Sequence, residues 1–157
     1  MEFKKDEVYA STLTHTAIPN FAGDKSAILE EFYKGIQSSF STLALDNMQI
    51  SNISMNIGGG FFGGNNVSAL GLSYKQGKLK KLSAFFLITN VGNVFTFSLY
   101  QQVSMGLFDA IVGINDPAHK IALVESKLKS IEEMEEFSIF NSIANLIYGD
   151  GIKATSI

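Results

Sequence analysis

Apolar and polar residues alternate along several short stretches of this chain, and this alternation predicts β-strands because successive strand side chains point to opposite faces of a sheet. The first stretch, residues 7–18, is rich in β-branched side chains and predicts a strand at an edge of the sheet. Short turn sequences separate the later stretches, which therefore predict an antiparallel meander of four strands. These stretches are residues 47–58, 67–74, 79–89 and 94–102.

Residues 24–45 have a helical pattern instead. Apolar residues recur there at every fourth position, at Ile28, Phe32, Ile36 and Phe40. This spacing places them on one face of an α-helix. Asp24 precedes the pattern and is a residue type favoured at the helix N-cap, so the stretch predicts an amphipathic helix that begins after it.

The C-terminal third predicts two further helices. Asp116 followed by Pro117 is typical of a helix start, and Ser130 with Glu133 three residues later has the spacing of a capping box. Apolar residues recur at helical spacing from residue 134 to 147, and Gly149 is the predicted C-cap. Residues 103–115 fit a short helix, a strand or a buried loop.

The alternation in residues 47–58 changes phase partway along. Met48 and Ile50 share one parity, whereas Ile53 and Met55 share the other. A β-bulge near Ser51–Asn52 would return all four to one face of the sheet, so the pattern predicts a bulge there.

This order of elements predicts an α+β fold. We expect a four-stranded antiparallel β-meander, with a short additional N-terminal strand, packed against an N-terminal amphipathic helix and C-terminal helices. Residues 1–157 are expected to form a single globular domain, with residues 1–7 disordered. The same order also suits a helix-grip arrangement, in which a sheet curves around a long C-terminal helix and encloses a cavity.

Composition excludes several classes of function. The 157 residues include no cysteine, which excludes disulfides, zinc–thiolate sites and cysteine nucleophiles. All 12 basic residues are lysines and the net charge is -3, which argues against nucleic-acid binding. Low charge and the absence of cysteine favour a bacterial periplasmic or secreted protein, otherwise a cytoplasmic one. The chain carries no signal-peptide pattern and no apolar run of membrane-spanning length.

The segment 56–66, NIGGGFFGGNN, contains the spacing G-x-G-x-x-G at Gly58, Gly60 and Gly63. In a dinucleotide-binding fold this motif lies between a strand and a helix, and an acidic residue follows about twenty residues later. Here a predicted strand follows the motif, and lysines occupy the region where the acid is expected. The motif therefore does not predict phosphate binding.

Two interpretations of this segment stay open. In the first it is a hairpin loop whose glycines permit a wide turn. In the second, Phe61 and Phe62, flanked by Gly60 and Gly63, project into a partner, a lipid surface or the mouth of a cavity.

No group of residues in the sequence predicts a catalytic or metal site. The two histidines, His15 and His119, are interpreted as surface residues. The glutamate clusters lie on predicted helices whose apolar faces are elsewhere, so they are interpreted as solvated. The lysines between residues 75 and 81 are typical of a hairpin protected against edge pairing. We expect no enzyme activity, cofactor or metal.

Thirteen phenylalanines make the chain rich in large apolar rings. We therefore expect a non-enzymatic interaction domain that engages a protein partner, or a second copy in a homodimer, through an apolar surface. The alternative is a carrier of an apolar small molecule or lipid, held between the sheet and the C-terminal helix. The phenylalanines expected to line such a cavity are Phe85, Phe95, Phe97 and Phe140.

Overall fold

The computed structural model of the chain describes residues 1–58, 65–104 and 117–157. Within these ranges the strands are β1 (Val8–Ala17), β2 (Met48–Asn56), β3 (Asn66–Tyr74), β4 (Leu82–Val91) and β5 (Val94–Val103). The α-helices are α1 (Lys25–Thr42), α2 (Pro117–Lys127) and α3 (Ile131–Ala154). Short 3-10 helices occupy Lys5–Glu7 and Lys78–Lys81.

The strands form one antiparallel sheet in the order β1-β5-β4-β3-β2. Strands β2 to β5 follow one another as the predicted meander, and β1 pairs with β5 at one edge. The two edge strands, β1 and β2, are consecutive in sequence, so the connection through α1 joins opposite edges of the sheet. The predicted α+β fold and the edge position of the first strand are confirmed.

Helices α1 and α3 pack together and cover one face of the sheet, which we call the helix face. Ile28, Phe32 and Ile36 of α1 are buried there, as the four-residue spacing predicts, while Phe40 is only partly buried. The helix starts as predicted, because the Asp24 side chain accepts a hydrogen bond of 2.9 Å from the Ser26 amide. The helix face therefore holds the main core.

The predicted bulge in β2 is wrong. Strand β2 pairs with β3 without interruption from Met48 opposite Tyr74 to Asn56 opposite Asn66. Its change of phase has another cause: Ile50 packs with the main core, whereas Ile53 and Met55 pack in a second cluster on the opposite face. The sheet instead has its irregular register in β1, between Val8 and Ala10.

The predicted start of α3 is confirmed and its predicted end is wrong. Ser130 accepts a hydrogen bond of 3.1 Å from the Glu133 amide. The helix then continues past Gly149 to Ala154, because Gly151 in its last turns packs against Phe32 and Ile36 of α1. The ambiguous stretch 103–115 begins with Val103, the last residue of β5, while its residues 105–115 and the predicted cap Asp116 lie outside the described residues.

Candidate interaction surface

The face of the sheet opposite the helices, which we call the outer face, carries its own apolar cluster. Met55, Ala69, Phe85 and Leu87 are buried there and form what we call the outer cluster. Partly buried apolar side chains pack around it, namely Phe3, Ile53, Val67 and Tyr100. Within the described residues, no helix contributes a side chain to this cluster, which is the apolar center of the outer face.

Two patterns in the sequence indicate this second face. Strand β4 is the middle strand of the sheet, and a strand covered on both faces has a continuous apolar run instead of alternation. The adjacent residues Phe85 and Phe86 show this directly, because Phe85 lies in the outer cluster and Phe86 in the main core. The change of phase in β2 is the other signal, which sequence reasoning attributed to a bulge.

The N-terminal segment, residues 1–4, crosses the outer face from β3 to β5. The ring of Phe3 lies 5.4 Å from that of Phe85 and 5.4 Å from that of Tyr100, measured between centroids. The side-chain amide of Gln102 contacts the backbone on both sides of Phe3. Residues 1–7, which the sequence predicts to be disordered, therefore have defined contacts in this structure, and Glu7 is buried.

The glycine-rich segment, residues 57–65, connects β2 to β3, and of it only Ile57, Gly58 and Asn65 are described. Beyond the last pair of β2 and β3, the Ile57 amide still donates to the Asn65 carbonyl at 3.2 Å. Ile57 follows Ile53 and Met55 at two-residue spacing, which continues the apolar row of the outer face toward the loop. It is 43% exposed. The predicted binding residues Gly60, Phe61, Phe62 and Gly63 lie outside the described residues.

The phenylalanines predicted to line a cavity do not share one location. Phe95, Phe97 and Phe140 are buried in the main core, and Phe85 is buried on the outer face. The core rings contact one another: centroids lie 5.1 Å apart for Phe32 and Phe97 and 5.7 Å apart for Tyr74 and Phe140.

A groove of about 490 Å³ lies between α2 and α3. Its lining is mixed in polarity: Glu125, Leu128, Met134, Phe137, Ser138, Asn141, Ser142 and Asn145. Two residues of the sheet fix the side chain of Asn141. Its oxygen accepts a hydrogen bond from the Tyr9 hydroxyl at 2.8 Å and another from the Gln101 side-chain amide at 2.6 Å. Sequence reasoning missed this network, since its members come from β1, β5 and α3.

Burial raises the pKa of the Tyr9 hydroxyl, because the phenolate form would lose its hydration. Burial likewise raises the pKa of Tyr33 to about 12. Both hydroxyls therefore stay protonated at neutral pH and act as hydrogen-bond donors. The pKa of Glu133 is lowered, first because Lys78 donates a hydrogen bond of 2.6 Å to its carboxylate.

The other residues considered in the sequence lie apart from one another. His15 is exposed on the outer face, where its Nδ1 lies 2.9 Å from the Thr96 hydroxyl, and His119 is exposed on α2. Lys75 donates to the Asp46 carbonyl at 2.8 Å, whereas Lys78 contacts α3 through Glu133. The described residues include no group of three histidine, aspartate or glutamate side chains placed to hold a metal ion.

In the described part of the chain, no helix combines the length and the apolar character needed to cross a bilayer. Comparisons of the chain with protein families, with curated proteins and with solved structures yield no match. The assignment of function therefore depends on the surfaces described above.

Proposed function

We propose that this protein is a non-enzymatic binding domain that engages a protein partner through the outer face and the adjoining loop. The observation that carries the proposal is the outer cluster, a second apolar center to which no helix in the described part of the chain contributes. The apolar row through Met55 ends at Ile57, and Phe61 and Phe62 follow it a few residues later in the sequence. The cluster itself is buried, and the apolar side chains around it that keep some exposure, Ile53, Val67, Tyr100 and Ile57, are the kind of surface that marks a site of protein interaction.

The alternative proposal is a carrier of an apolar molecule between the sheet and α3. The packing of the helix face gives this alternative less support, because rings such as Phe97 and Phe140 are fully buried against other aromatic rings. A carrier would need these side chains to move apart for its ligand. We therefore favour the interaction domain, with a periplasmic or secreted location as the part of the proposal that depends on composition alone.

Native mass spectrometry of the protein, purified without refolding, separates the two proposals. An interaction domain is expected to show either the bare mass of one chain or twice that mass. A small added mass that disappears on denaturation would overturn the interaction proposal in favour of the carrier. Twice the chain mass would indicate that a second copy is the partner.

The loop is then tested with the double variant Phe61→Ser, Phe62→Ser in the full chain. Its matched control is Val91→Ser, because Val91 is 84% exposed at the turn between β4 and β5. If the protein dimerises, sedimentation velocity should show a monomer for the double variant and a dimer for the control.

If the protein is a bare monomer, the same variants are compared as immobilised baits. A partner retained by the unaltered chain and by Val91→Ser, but lost with the double variant, supports the proposal. Equal retention by all three proteins contradicts a role for the loop in binding.

A further inference from the structure

We propose that the outer face is a binding groove for an extended peptide with an apolar residue and, two positions later, an aromatic residue. Residues 1–4 of the chain occupy this groove as an internal ligand that an incoming peptide must displace. This inference deepens the proposed function, since it specifies the partner's chemistry. Four features of the groove support it.

The first feature is a site for an aromatic ring. Phe3 meets Phe85 nearly edge-on, with an interplanar angle of 82°, and lies tilted against Tyr100 at 53°. Edge-to-face contact is a preferred geometry for aromatic pairs, and it depends on an aromatic side chain in the ligand. Because Phe85 is fully buried in the outer cluster, this site is held rigidly by the sheet.

The second feature is a clamp for an extended backbone. Gln102 donates from Nε2 to the Glu2 carbonyl at 2.9 Å and accepts at Oε1 from the Lys4 amide at 2.7 Å. The residue is 5% exposed, and its amide is a fixed part of the outer face. Such a clamp recognises main-chain groups whatever the side chains are, while pockets beneath alternate residues supply specificity. Lys4 has the extended backbone that this requires, with φ -132° and ψ 115°.

The third feature is a site for the apolar residue. Gly71 of β3 leaves room for the Met1 side chain, because a β-carbon at Gly71 would overlap Met1 Sδ and would lie 3.3 Å from Met1 Cε. Met1 and Phe3 are two residues apart, so both side chains of an extended segment can point into the groove.

The fourth feature is an adjoining cavity of about 200 Å³ beside Met1. Its lining is mixed in polarity and includes, besides Met1, the residues Gln49, Ser51, Ser73, Tyr74, Lys80 and Ser83. Because Met1 borders this cavity, we expect a longer peptide on the path of residues 1–4 to reach it with the residue that precedes the apolar one. Lys80 is the charged residue of this lining, so we expect the best ligands to carry an acidic or small polar residue before the apolar one.

The internal segment competes with any free peptide. A short tether holds a segment at a millimolar effective concentration, so the intact groove is open only part of the time. The apparent affinity for a free peptide falls in proportion to the open fraction. Weakening the internal segment should therefore strengthen the binding of a peptide added in solution.

The test uses the full chain with Phe3→Ala and a fluorescein-labelled synthetic peptide of residues 1–6, Met-Glu-Phe-Lys-Lys-Asp. By fluorescence anisotropy, we expect the peptide to bind this variant at least about tenfold more tightly than it binds the unaltered chain. The matched control is Phe21→Ala, because the Phe21 ring also makes an edge contact, 5.7 Å from Phe95, but on the helix face. This control should bind the peptide as the unaltered chain does.

Two further comparisons test the sites individually. A peptide with alanine in place of its phenylalanine should bind the Phe3→Ala chain at least about tenfold more weakly, because it loses the ring contacts. Adding Gly71→Val to the Phe3→Ala chain should weaken the binding of the original peptide by about tenfold as well, because the new side chain fills the site for methionine. Circular dichroism verifies that each variant is folded.

Equal binding to Phe3→Ala and Phe21→Ala, or equal binding of the peptide without an aromatic residue, would overturn the inference. Dimerisation of the Phe3→Ala chain that the peptide does not reverse would overturn it in favour of a self-interface. If Phe3→Ala does not fold, NMR titration of the unaltered chain with millimolar peptide takes its place. Shifts should then be confined to signals around Phe85, Tyr100 and Gln102, and shifts elsewhere or none would overturn the inference.

This experiment fails separately from the proposed function. If the Phe61→Ser, Phe62→Ser variant loses its partner and the peptide does not bind, the groove proposal is overturned and the interaction-domain proposal is supported. A small bound molecule in native mass spectrometry would overturn the interaction-domain proposal, whether or not the peptide binds.

Discussion

Gly35 of α1 and Gly151 of α3 meet at the crossing of the two helices. A β-carbon on Gly35 would lie 3.1 Å from Gly151 Cα and 2.5 Å from the Ala154 β-carbon. A β-carbon on Gly151 would lie 2.6 Å from Ile36 Cγ1 and 3.0 Å from the Phe32 ring. The helices are therefore in backbone contact here, and this contact holds the last turns of α3 onto the core.

We predict that Gly151→Ala destabilises the protein by about 1–3 kcal/mol, because the added methyl group overpacks a site closed by Ile36 and Phe32. Alanine is favoured over glycine in a helix interior by up to about 1 kcal/mol, which offsets only part of this loss. Urea unfolding followed by circular dichroism measures the change in the free energy of unfolding.

Gly149→Ala is the matched control, two residues away in the same helix. A β-carbon there would meet no heavy atom within 4 Å, so only the helix propensity changes. We expect this variant to be more stable than the unaltered protein by about 0.5–1 kcal/mol. A loss of stability at Gly149, or none at Gly151, would contradict the helix crossing described here.

The second prediction concerns the contact between Phe3 and Phe85. In a double-mutant cycle with Phe3→Ala and Phe85→Leu, we expect a coupling free energy of about 0.5–1.5 kcal/mol, as for other aromatic pairs. The control cycle combines Phe3→Ala with Phe95→Leu. Because Phe95 lies on the helix face, the two changes in the free energy of unfolding should be additive. Coupling near zero between Phe3 and Phe85 would show that the N-terminal segment leaves the outer face in solution.

The third prediction concerns the hydroxyl of Tyr9. Tyr9→Phe removes a donor to Asn141 and should lower the free energy of unfolding by about 0.5–1.5 kcal/mol. Tyr100→Phe is the control, because Tyr100 is only partly buried, on the outer face, and we expect a change below about 0.5 kcal/mol. Equal effects in chemical denaturation would contradict the Tyr9–Asn141 bond.

The fourth prediction is a loss of stability at alkaline pH. The pKa of Tyr33 is about 12 in the folded protein, against 10.0 for an unperturbed tyrosine, and burial also raises the pKa of Tyr9, Tyr74 and Tyr148. Above pH 10 the unfolded chain loses these protons while the folded chain keeps them, so the unfolded state is favoured. The contribution is complete below pH 10 and is lost as the pH rises toward 12.

Denaturation midpoints measured from neutral pH to about pH 11 test this prediction, with phenolate absorbance recorded in parallel. We expect these four tyrosines to ionise only as the protein unfolds, and Tyr33→Phe to reduce the pH dependence. Stability that stays constant through this range, or ionisation of more than one of the five tyrosines before unfolding, would contradict the burial of these four hydroxyls.

Local patterns in the sequence were sufficient to predict most elements. The four-residue spacing from Ile28 to Ile36 predicts α1, and the alternation through Phe95 and Phe97 predicts β5, because each pattern reflects which side of one element is buried. The caps Asp24 and Ser130 are equally local, since each bonds an amide two or three residues away.

Contacts between distant residues decided the rest of the fold. Gly149 and Gly151 look alike as helix terminators in the sequence, yet α3 passes through both because Gly151 packs on a helix more than 100 residues earlier. The sequence pointed to the segment with Phe61 and Phe62, which lies outside the described residues, and not to the outer cluster. The outer cluster was missed because Met55 of β2 and Phe85 of β4 are brought into one cluster only when β2, β3 and β4 pair.

The sequence by itself determined the order of helices and strands and the α+β class, since periodicity reports the burial of one face at a time. Only the tertiary structure decided that the sheet has apolar clusters on both faces, and that residues 1–4 lie on the second one. The physical reason is that a strand covered on both sides loses its alternation. The chain alone then does not distinguish a bulge from a second buried face.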